Sequence, residues 1–166
     1  MKKYGKWIIK KSLPEGGQAY TYLVGNVDDT SGKLFVLKRL KNIARKDRFL
    51  REIEALQKLS HPNIIRIIDF DYKNDPPYIV TEYCEGGPLS KLDLKQYSIL
   101  EKLKILELIC TGVGYAHEKG FIHRDLKPDN IFLRKDGRTP VVGDFGIILD
   151  QNHREYKNKY KNFNLT

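Results

Sequence analysis

Short apolar runs separated by turn residues dominate the first half of the chain. Residues 20–24 and 34–40 are rich in aliphatic and aromatic side chains, and the Asp-Asp-Thr-Ser-Gly segment at 28–32 between them is typical of a turn. This region therefore predicts a β-hairpin. Two further apolar runs, at 64–70 and 78–83, are separated by a polar, proline-containing turn.

The apolar period changes from strand-like to helical at 46–59. Phe49, Ile53 and Leu56 recur about one helical turn apart, which predicts an amphipathic helix. A His-Pro-Asn segment at 61–63 follows. Because proline disfavours helical backbone in the residue before it, we expect the helix to end there.

A longer helix is predicted from Ser98 onward. Ser98 and Glu101 form the Ser-x-x-Glu pattern of a capping box, and Gly120 suits the carboxyl end of the helix. The predicted apolar stripe of this helix consists of Leu103, Leu106, Ile109 and Val113.

An Asp136-Gly137 turn between two short apolar runs predicts a second hairpin. If that turn is its centre, Asn130 lies opposite Gly143 and Asp144 lies opposite Asp129. Asn130 and Asp144 are then side by side at the open end of the hairpin. Converging oxygen ligands of this kind are what a magnesium ion requires.

A buried ion pair is expected between Lys38 and Glu52. The period of the first helix puts Glu52 on its apolar face, and a carboxylate directed at a core requires a cation. Strand alternation puts Val36 and Lys38 on one face of the strand at 34–40. Lys38 is the natural cationic partner for that carboxylate.

Composition narrows the function class. The chain has 30 Lys and Arg against 21 Asp and Glu, a net charge of +9, and residues 38–51 are especially basic. Stacking aromatic residues are nearly absent from that segment, so we interpret it as a solvated surface and expect no nucleic-acid partner. Cys84 and Cys110 form no disulfide or metal-binding pattern, which favours a reducing cytoplasm. No apolar run is long enough for a membrane segment, and no signal peptide is recognised.

The segment His-Arg-Asp-Leu-Lys-Pro-Asp-Asn at 123–130, followed by Asp-Phe-Gly at 144–146, resembles the catalytic loop and metal-binding triplet of eukaryotic-type protein kinases. The resemblance implies an α+β protein-kinase-like fold, with a small antiparallel β-sheet lobe carrying one helix and an incomplete, mainly helical C-lobe. It implies a serine/threonine kinase that transfers the γ-phosphate of ATP to a protein hydroxyl. The Leu-Lys-Pro-Asp-Asn sequence of this loop favours serine or threonine over tyrosine as the residue that is phosphorylated.

The resemblance also implies roles for individual residues. Asp125 takes the position of the catalytic base, and Lys127 that of the lysine on the transferring phosphate. Asn130 and Asp144 would bind Mg2+, and Lys38 would contact the α- and β-phosphates while it pairs with Glu52. His123 is interpreted as a packed scaffold residue. The remaining nucleotide contacts implied by the resemblance are Leu13, Gly16, Gly17 and Thr21 in the phosphate-covering loop, Val36 on the adenine, Thr81 as gatekeeper, and the backbones of Glu82 and Cys84 at the hinge.

The phosphate-covering loop departs from the family pattern. Pro14, Ala19 and Thr21 stand where the family has two glycines and a valine, and proline removes a backbone donor. Gly16 and Gly17 still permit close approach of the backbone to a phosphate.

The resemblance covers residues 7–150 and predicts a kinase truncated shortly after Asp-Phe-Gly. The expected units are an N-lobe at 1–86, bounded near a Glu-Gly-Gly-Pro segment, a partial C-lobe at 87–150 and an Asn/Lys-rich, disordered tail at 151–166. The long helix would then expose an apolar face for a partner to cover. An inactive homologue that binds only nucleotide or a partner is the alternative hypothesis, and a small-molecule phosphotransferase is less favoured.

Overall fold

The structure is a computed structural model that describes residues 2–14 and 19–145, together with the backbone of 149–150. Its helices in these residues are α1 (Lys46–Lys58) and α2 (Ile99–Glu118). Its strands are β1 (Lys3–Tyr4), β2 (Trp7–Ser12), β3 (Ala19–Asn26), β4 (Leu34–Leu40), β5 (Ile67–Asp71), β6 (Tyr78–Glu82), β7 (Gly87–Pro88), β8 (Phe121–Ile122), β9 (Ile131–Leu133), β10 (Pro140–Val142) and β11 (Leu149–Asp150). Gly16, Gly17, Gly146 and the predicted tail lie outside the described residues.

Six strands form one antiparallel sheet in the order β1-β2-β3-β4-β6-β5. The predicted hairpin is confirmed as β3 and β4, which pair from Ala19 opposite Leu40 to Gly25 opposite Leu34. Strand β2 was not predicted, because its sequence begins with apolar residues and ends with polar ones. Its Trp7 is buried and donates its indole Nε1–H to Asp69 at 2.7 Å, which attaches the first strands to β5.

The two faces of the sheet pack against different cores. On one face, the side chains form a compact apolar cluster of Trp7, Val24, Phe35, Leu37, Tyr78 and Val80. The apolar side of α1 belongs to the other and larger core, which continues into α2 and the β9–β10 hairpin. Helix α1 has the predicted bounds within one residue and buries Phe49, Ile53 and Leu56. The single larger core therefore joins the sheet to the helical part of the molecule.

Helix α2 begins and ends as predicted but buries a different face. The capping box of Ser98 and Glu101 is present, and Gly120 takes the left-handed conformation, with a φ of 83°, just after the helix. The buried residues are Ile105, Ile109, Gly112 and Ala116.

The predicted stripe is therefore wrong for two of its members, since Leu103 and Leu106 are 53% and 56% exposed. The helix is apolar on more than one side, so its periodicity did not determine which side packs inward. The inward side is the one that packs against β10, β8 and the loop after α1. Gly112 permits the closest of these approaches, since a Cβ on it would lie 2.8 Å from the Asn63 carbonyl oxygen.

The second predicted hairpin has the predicted register. Leu133 pairs with Pro140 and Ile131 with Val142, and the N–H of Gly143 donates to the carbonyl of Asn130 at 2.9 Å. Strand β7 pairs with β9, and β11 with β8. Across the described part of the chain, no helix is both long and apolar enough to cross a membrane.

Candidate active site

Lys38 is the point at which the sheet, α1 and the β9–β10 hairpin meet. Its Nζ lies 3.0 Å from Oε1 of Glu52 and 2.8 Å from Oδ1 of Asp144. Glu52 is 4% exposed on the apolar face of α1. The predicted Lys38–Glu52 pair is therefore present, and Asp144 shares the same ammonium group.

Electrostatics favour the charged forms of Lys38 and Asp144. Burial lowers the pKa of Lys38, but the Coulombic attraction of Glu52 and Asp144 outweighs it, so the net pKa is raised above its ordinary value. The charge on Lys38 in turn holds the pKa of Asp144 below its ordinary value, against the opposing effect of burial. Near neutral pH, Lys38 is thus charged and lies between Glu52 and an ionised Asp144.

A second polar cluster surrounds Asp125. Nζ of Lys127 lies 2.8 Å from Oδ2 of Asp125, and Nδ2 of Asn130 donates to the Asp125 carbonyl at 2.7 Å and to Oδ2 at 3.1 Å. The hydrogen bond from Lys127 lowers the pKa of Asp125, and the same bond raises the pKa of Lys127. Asp125 is therefore an ionised carboxylate, and one of its oxygens, Oδ2, is already bound by Lys127 and Asn130.

His123 connects the two clusters through the backbone. Its Nε2 lies 2.8 Å from the carbonyl oxygen of Gly143, and its Nδ1 accepts the N–H of Asp125 at 3.3 Å. The ring is 3% exposed and packs on Phe145, with 4.7 Å between ring centroids. This geometry agrees with the interpretation of His123 as a scaffold residue.

Left-handed backbone occurs at two non-glycine residues of the described chain, and both belong to the site. Arg124 has a φ of 65° and Asp144 a φ of 58°. Such residues are uncommon and cluster where surrounding contacts impose an unfavourable conformation for a functional reason. Neither position carries the glycine that usually marks left-handed backbone, so this strain could not be predicted from the residue types.

The side chains at the open end of the hairpin fit a magnesium ion whose remaining ligands come from phosphates and water. Both amide N–H groups used by Asn130 point to Asp125, and within the described residues its oxygen makes no hydrogen bond. Asp144 uses one carboxylate oxygen for Lys38. No cluster of three or more His, Cys, Asp or Glu side chains suited to a metal occurs in the described residues. Magnesium commonly takes one or two protein oxygens and obtains the rest from phosphates and water, so this donor set fits.

Four of the residues predicted around the nucleotide, Thr21, Val36, Lys38 and Thr81, share one face of the sheet. Thr21 pairs with Lys38 across β3 and β4, and Val36 pairs with Thr81 across β4 and β6. Directly opposed residues of antiparallel strands lie on the same face. Leu23, which pairs with Val36, joins this face and was missed, although the register of the predicted hairpin could have identified it.

The ends of the phosphate-covering loop are held together across the hairpin. The N–H of Leu13 donates to the carbonyl of Thr21 at 2.9 Å. Gly16 and Gly17, which were predicted to approach phosphate, lie outside the described residues.

The predicted hinge follows β6. Thr81 is 6% exposed, and Cys84 is buried, which raises the pKa of its thiol to about 12 by desolvation. Such a thiol is a packing group rather than a nucleophile. The side chain of Glu82 pairs with Arg134 at 2.7 Å, a contact that sequence reasoning missed because nothing in the local pattern marks Arg134.

Comparison with known proteins gives a consistent result. A family model described as a protein kinase domain matches residues 7–166. Mouse serine/threonine-protein kinase Nek1 is 34% identical over 151 residues, which cover 86% of this chain and 12% of that protein. Inhibitor of nuclear factor kappa-B kinase subunit alpha of Xenopus laevis is 36% identical over 161 residues, 88% of this chain and 21% of that protein.

A plant relative shows the same pattern. CBL-interacting protein kinase 21 of Oryza sativa subsp. japonica is 35% identical over 161 residues, 92% of this chain and 30% of that protein. The chain thus spans less than a third of the length of these relatives.

Proposed function

The chain belongs to the protein kinase family, and we propose that it binds ATP with Mg2+ and transfers the γ-phosphate to a serine or threonine hydroxyl of a protein. The observation that carries this proposal is the position of Lys38 between Glu52 and Asp144, with Asp125, Lys127 and Asn130 adjoining the same hairpin. Phosphoryl transfer requires positioning and charge neutralisation, and these are the groups that supply both.

Lys38 is proposed to hold the α- and β-phosphates. An ammonium group has three N–H donors, and two of them are directed at Glu52 and Asp144. The third has no acceptor among the described residues and can bind a phosphate oxygen without breaking either ion pair. The proposed remaining contacts of the nucleotide are Leu13, Gly16, Gly17, Thr21, Val36, Thr81, Glu82 and Cys84.

Asn130 and Asp144 are proposed to hold Mg2+, which neutralises phosphate charge when bound. Their antiparallel hairpin carries the two oxygen donors at one end although the residues are far apart in sequence. Hydrogen bonds from Asn130 to Asp125 fix the amide orientation, which directs its oxygen away from that carboxylate.

Asp125 is proposed to orient the substrate hydroxyl and to accept its proton late in the reaction. Its lowered pKa makes it a weak base, but a loose phosphoryl transition state demands little base strength. Lys127 would bind the transferring phosphate from its place beside Asp125. The γ-phosphorus bonds to the hydroxyl oxygen as its bond to the bridging oxygen of ADP breaks. ADP leaves with that electron pair, and the hydroxyl proton ends on Asp125.

A non-catalytic role as a nucleotide- or partner-binding module is the second candidate. The observation that favours it is the exposure of Ile99, Leu100, Leu103 and Leu106 along α2. An apolar surface of this kind marks an interaction site more often than a solvated face. A partner covering this surface would leave the charged site intact.

Transfer of labelled γ-phosphate from ATP to casein, with identification of the labelled amino acid, tests the proposal. We expect phosphoserine or phosphothreonine, and a loss of about 100-fold or more in rate for Asp125→Asn, the lower range for removing a general base. Lys38→Met should be similarly impaired. Lys104→Met is the matched control, because Lys104 also forms an ion pair, but with Glu107 on the exposed side of α2.

Equal transfer by wild type and Asp125→Asn would refute the catalytic assignment. Nucleotide binding without transfer would favour the second candidate.

A further inference from the structure

Glu82, at the end of β6, has a nearly buried carboxylate with a single cationic partner in the described residues. Its side chain is 12% exposed, and Oε2 lies 2.7 Å from Nη1 of Arg134. A carboxylate removed from water to this extent requires a cation or several hydrogen-bond donors. Arg134, which directly follows β9, supplies the cation from the hairpin that carries Asn130 and Asp144.

Arg134 also forms a hydrogen bond to a third segment, the loop that follows α1. Its Nη2 donates to the carbonyl of Pro62 at 3.1 Å, in the loop that follows α1. One planar guanidinium group therefore joins the end of β6, the loop after α1 and the end of β9. The fixed fork of donors on arginine suits this role, because both bonds are made from one rigid plane.

The other carboxylate oxygen of Glu82 is also hydrogen-bonded. Oε1 accepts the backbone N–H of Arg66 at 3.0 Å, and the N–H of Glu82 donates to the carbonyl of Arg66 at 3.0 Å. The carboxylate thus cannot turn towards another cation without losing a backbone bond. Its position is fixed from both sides.

The chain after β6 contacts the same end of β9. The N–H of Gly86 donates to the carbonyl of Leu133 at 3.0 Å, and a Cβ on Gly86 would collide with the carbonyl oxygens of Leu133 and Arg134. A backbone approach this close requires glycine. The region between β6 and β7 is therefore packed directly on the residue that pairs with Glu82.

We propose that Arg134 is a positioning residue that sets the hinge edge of the nucleotide site relative to the hairpin bearing Asn130 and Asp144. This inference rests on the proposed function, because a nucleotide held at both places requires a fixed distance between them. Strand β9 begins one residue after Asn130 and ends one residue before Arg134. A shift at Arg134 is therefore transmitted along a three-residue strand to the magnesium ligand.

Arg134→Met and Arg134→Lys in the full chain test this role by amide hydrogen exchange without nucleotide. In Arg134→Met we expect about tenfold faster exchange at Gly86 and Glu82, since the unpaired carboxylate loses the partner that offsets its burial. Amides in the middle of α2 should keep wild-type rates. Arg134→Lys retains the charge and should restore part of the protection.

Calorimetric titration with Mg-ATP supplies the second readout. Arg134→Met should bind about tenfold more weakly than wild type, and the Glu82→Gln and Arg134→Met double variant should bind no more weakly than Arg134→Met alone. Arg138→Met is the matched control, because Arg138 lies on the same hairpin and pairs with Glu101 of α2 at 2.8 Å. It should leave both the exchange at Gly86 and the Mg-ATP affinity unchanged.

The outcomes distinguish the positioning role of Arg134 from the proposed binding of Mg-ATP. Unchanged exchange at Gly86 and Glu82, or a uniform increase that includes α2, overturns the proposed role of Arg134. Faster exchange with unchanged Mg-ATP affinity also overturns it, since the contact would then be only structural. Failure of the wild type to bind Mg-ATP defeats the proposed function and with it the positioning role, whereas the exchange data would still establish whether Arg134 holds the hinge.

Discussion

At the scale of single residues, the site is governed by how two lysines are shared among three carboxylates. Lys38 pairs with Glu52 and Asp144, while Lys127 pairs with Asp125. Each lysine lowers the pKa of the aspartate it contacts. The two aspartates are therefore ionised at neutral pH for separate reasons, which permits separate roles in binding a metal and orienting a hydroxyl.

Carboxyl titration by carbon-13 NMR checks this division. Lys38→Met should raise the pKa of Asp144 towards the ordinary value of about 3.9, because the largest cause of its lowering is removed, and should affect Asp125 less. Lys127→Met should act mainly on Asp125. Because the pKa of Asp144 is lower in the folded state, its pairing stabilises the protein above the ordinary aspartate pKa and loses that effect as the pH falls.

The account would be contradicted if both carboxyl groups responded equally to either substitution. It would also be contradicted if the pKa of Asp144 fell further in Lys38→Met.

At the scale of elements, α2 has two apolar sides with different roles. Ile105 and Ile109 face the core, whereas Leu103 and Leu106 are more than half exposed. The inward side packs against β10 and β8, and Gly112 permits its close approach to Asn63 in the loop after α1. The outward side thus contributes little to the folded state of this chain.

Alanine substitution on the two sides should give unequal losses of stability. Ile109→Ala is expected to lower the free energy of unfolding by about 2–5 kcal/mol, because it leaves a cavity in the core. Leu106→Ala, an equivalent truncation on the same helix, should change it by about 0.5 kcal/mol or less. Urea unfolding followed by circular dichroism measures both, and similar losses would mean that the outward side is also covered in solution.

At the scale of the whole molecule, sequence reasoning succeeded where a local pattern contained the answer. The turn at Asp136-Gly137 determined the register that brings Asn130 and Asp144 to one end of a hairpin. The apolar period of α1 likewise identified Glu52 as a buried carboxylate that requires a cationic partner, and Lys38 is that partner. The register of this hairpin follows from strand geometry, and the burial of Glu52 follows from the period of one helix.

Contacts between distant segments were not predictable in this way. Glu82 and Arg134 are 52 residues apart, and neither lies in a repeating pattern that indicates its partner. The inward side of α2 also depended on a distant loop. These features require the relative placement of elements, which hydrophobic periodicity does not contain.

The central claim, that Lys38 and Asp144 belong to a magnesium-dependent nucleotide site, is tested most directly by thermal melting of residues 1–166 with and without Mg-ATP. At about 100 times its dissociation constant, the ligand should stabilise the wild type by roughly 2.7 kcal/mol. The shift should require magnesium, disappear in Lys38→Met and Asp144→Asn, and persist in Lys104→Met. A cooperative wild-type melt that Mg-ATP does not move, or an equal shift in Lys38→Met, would contradict the account.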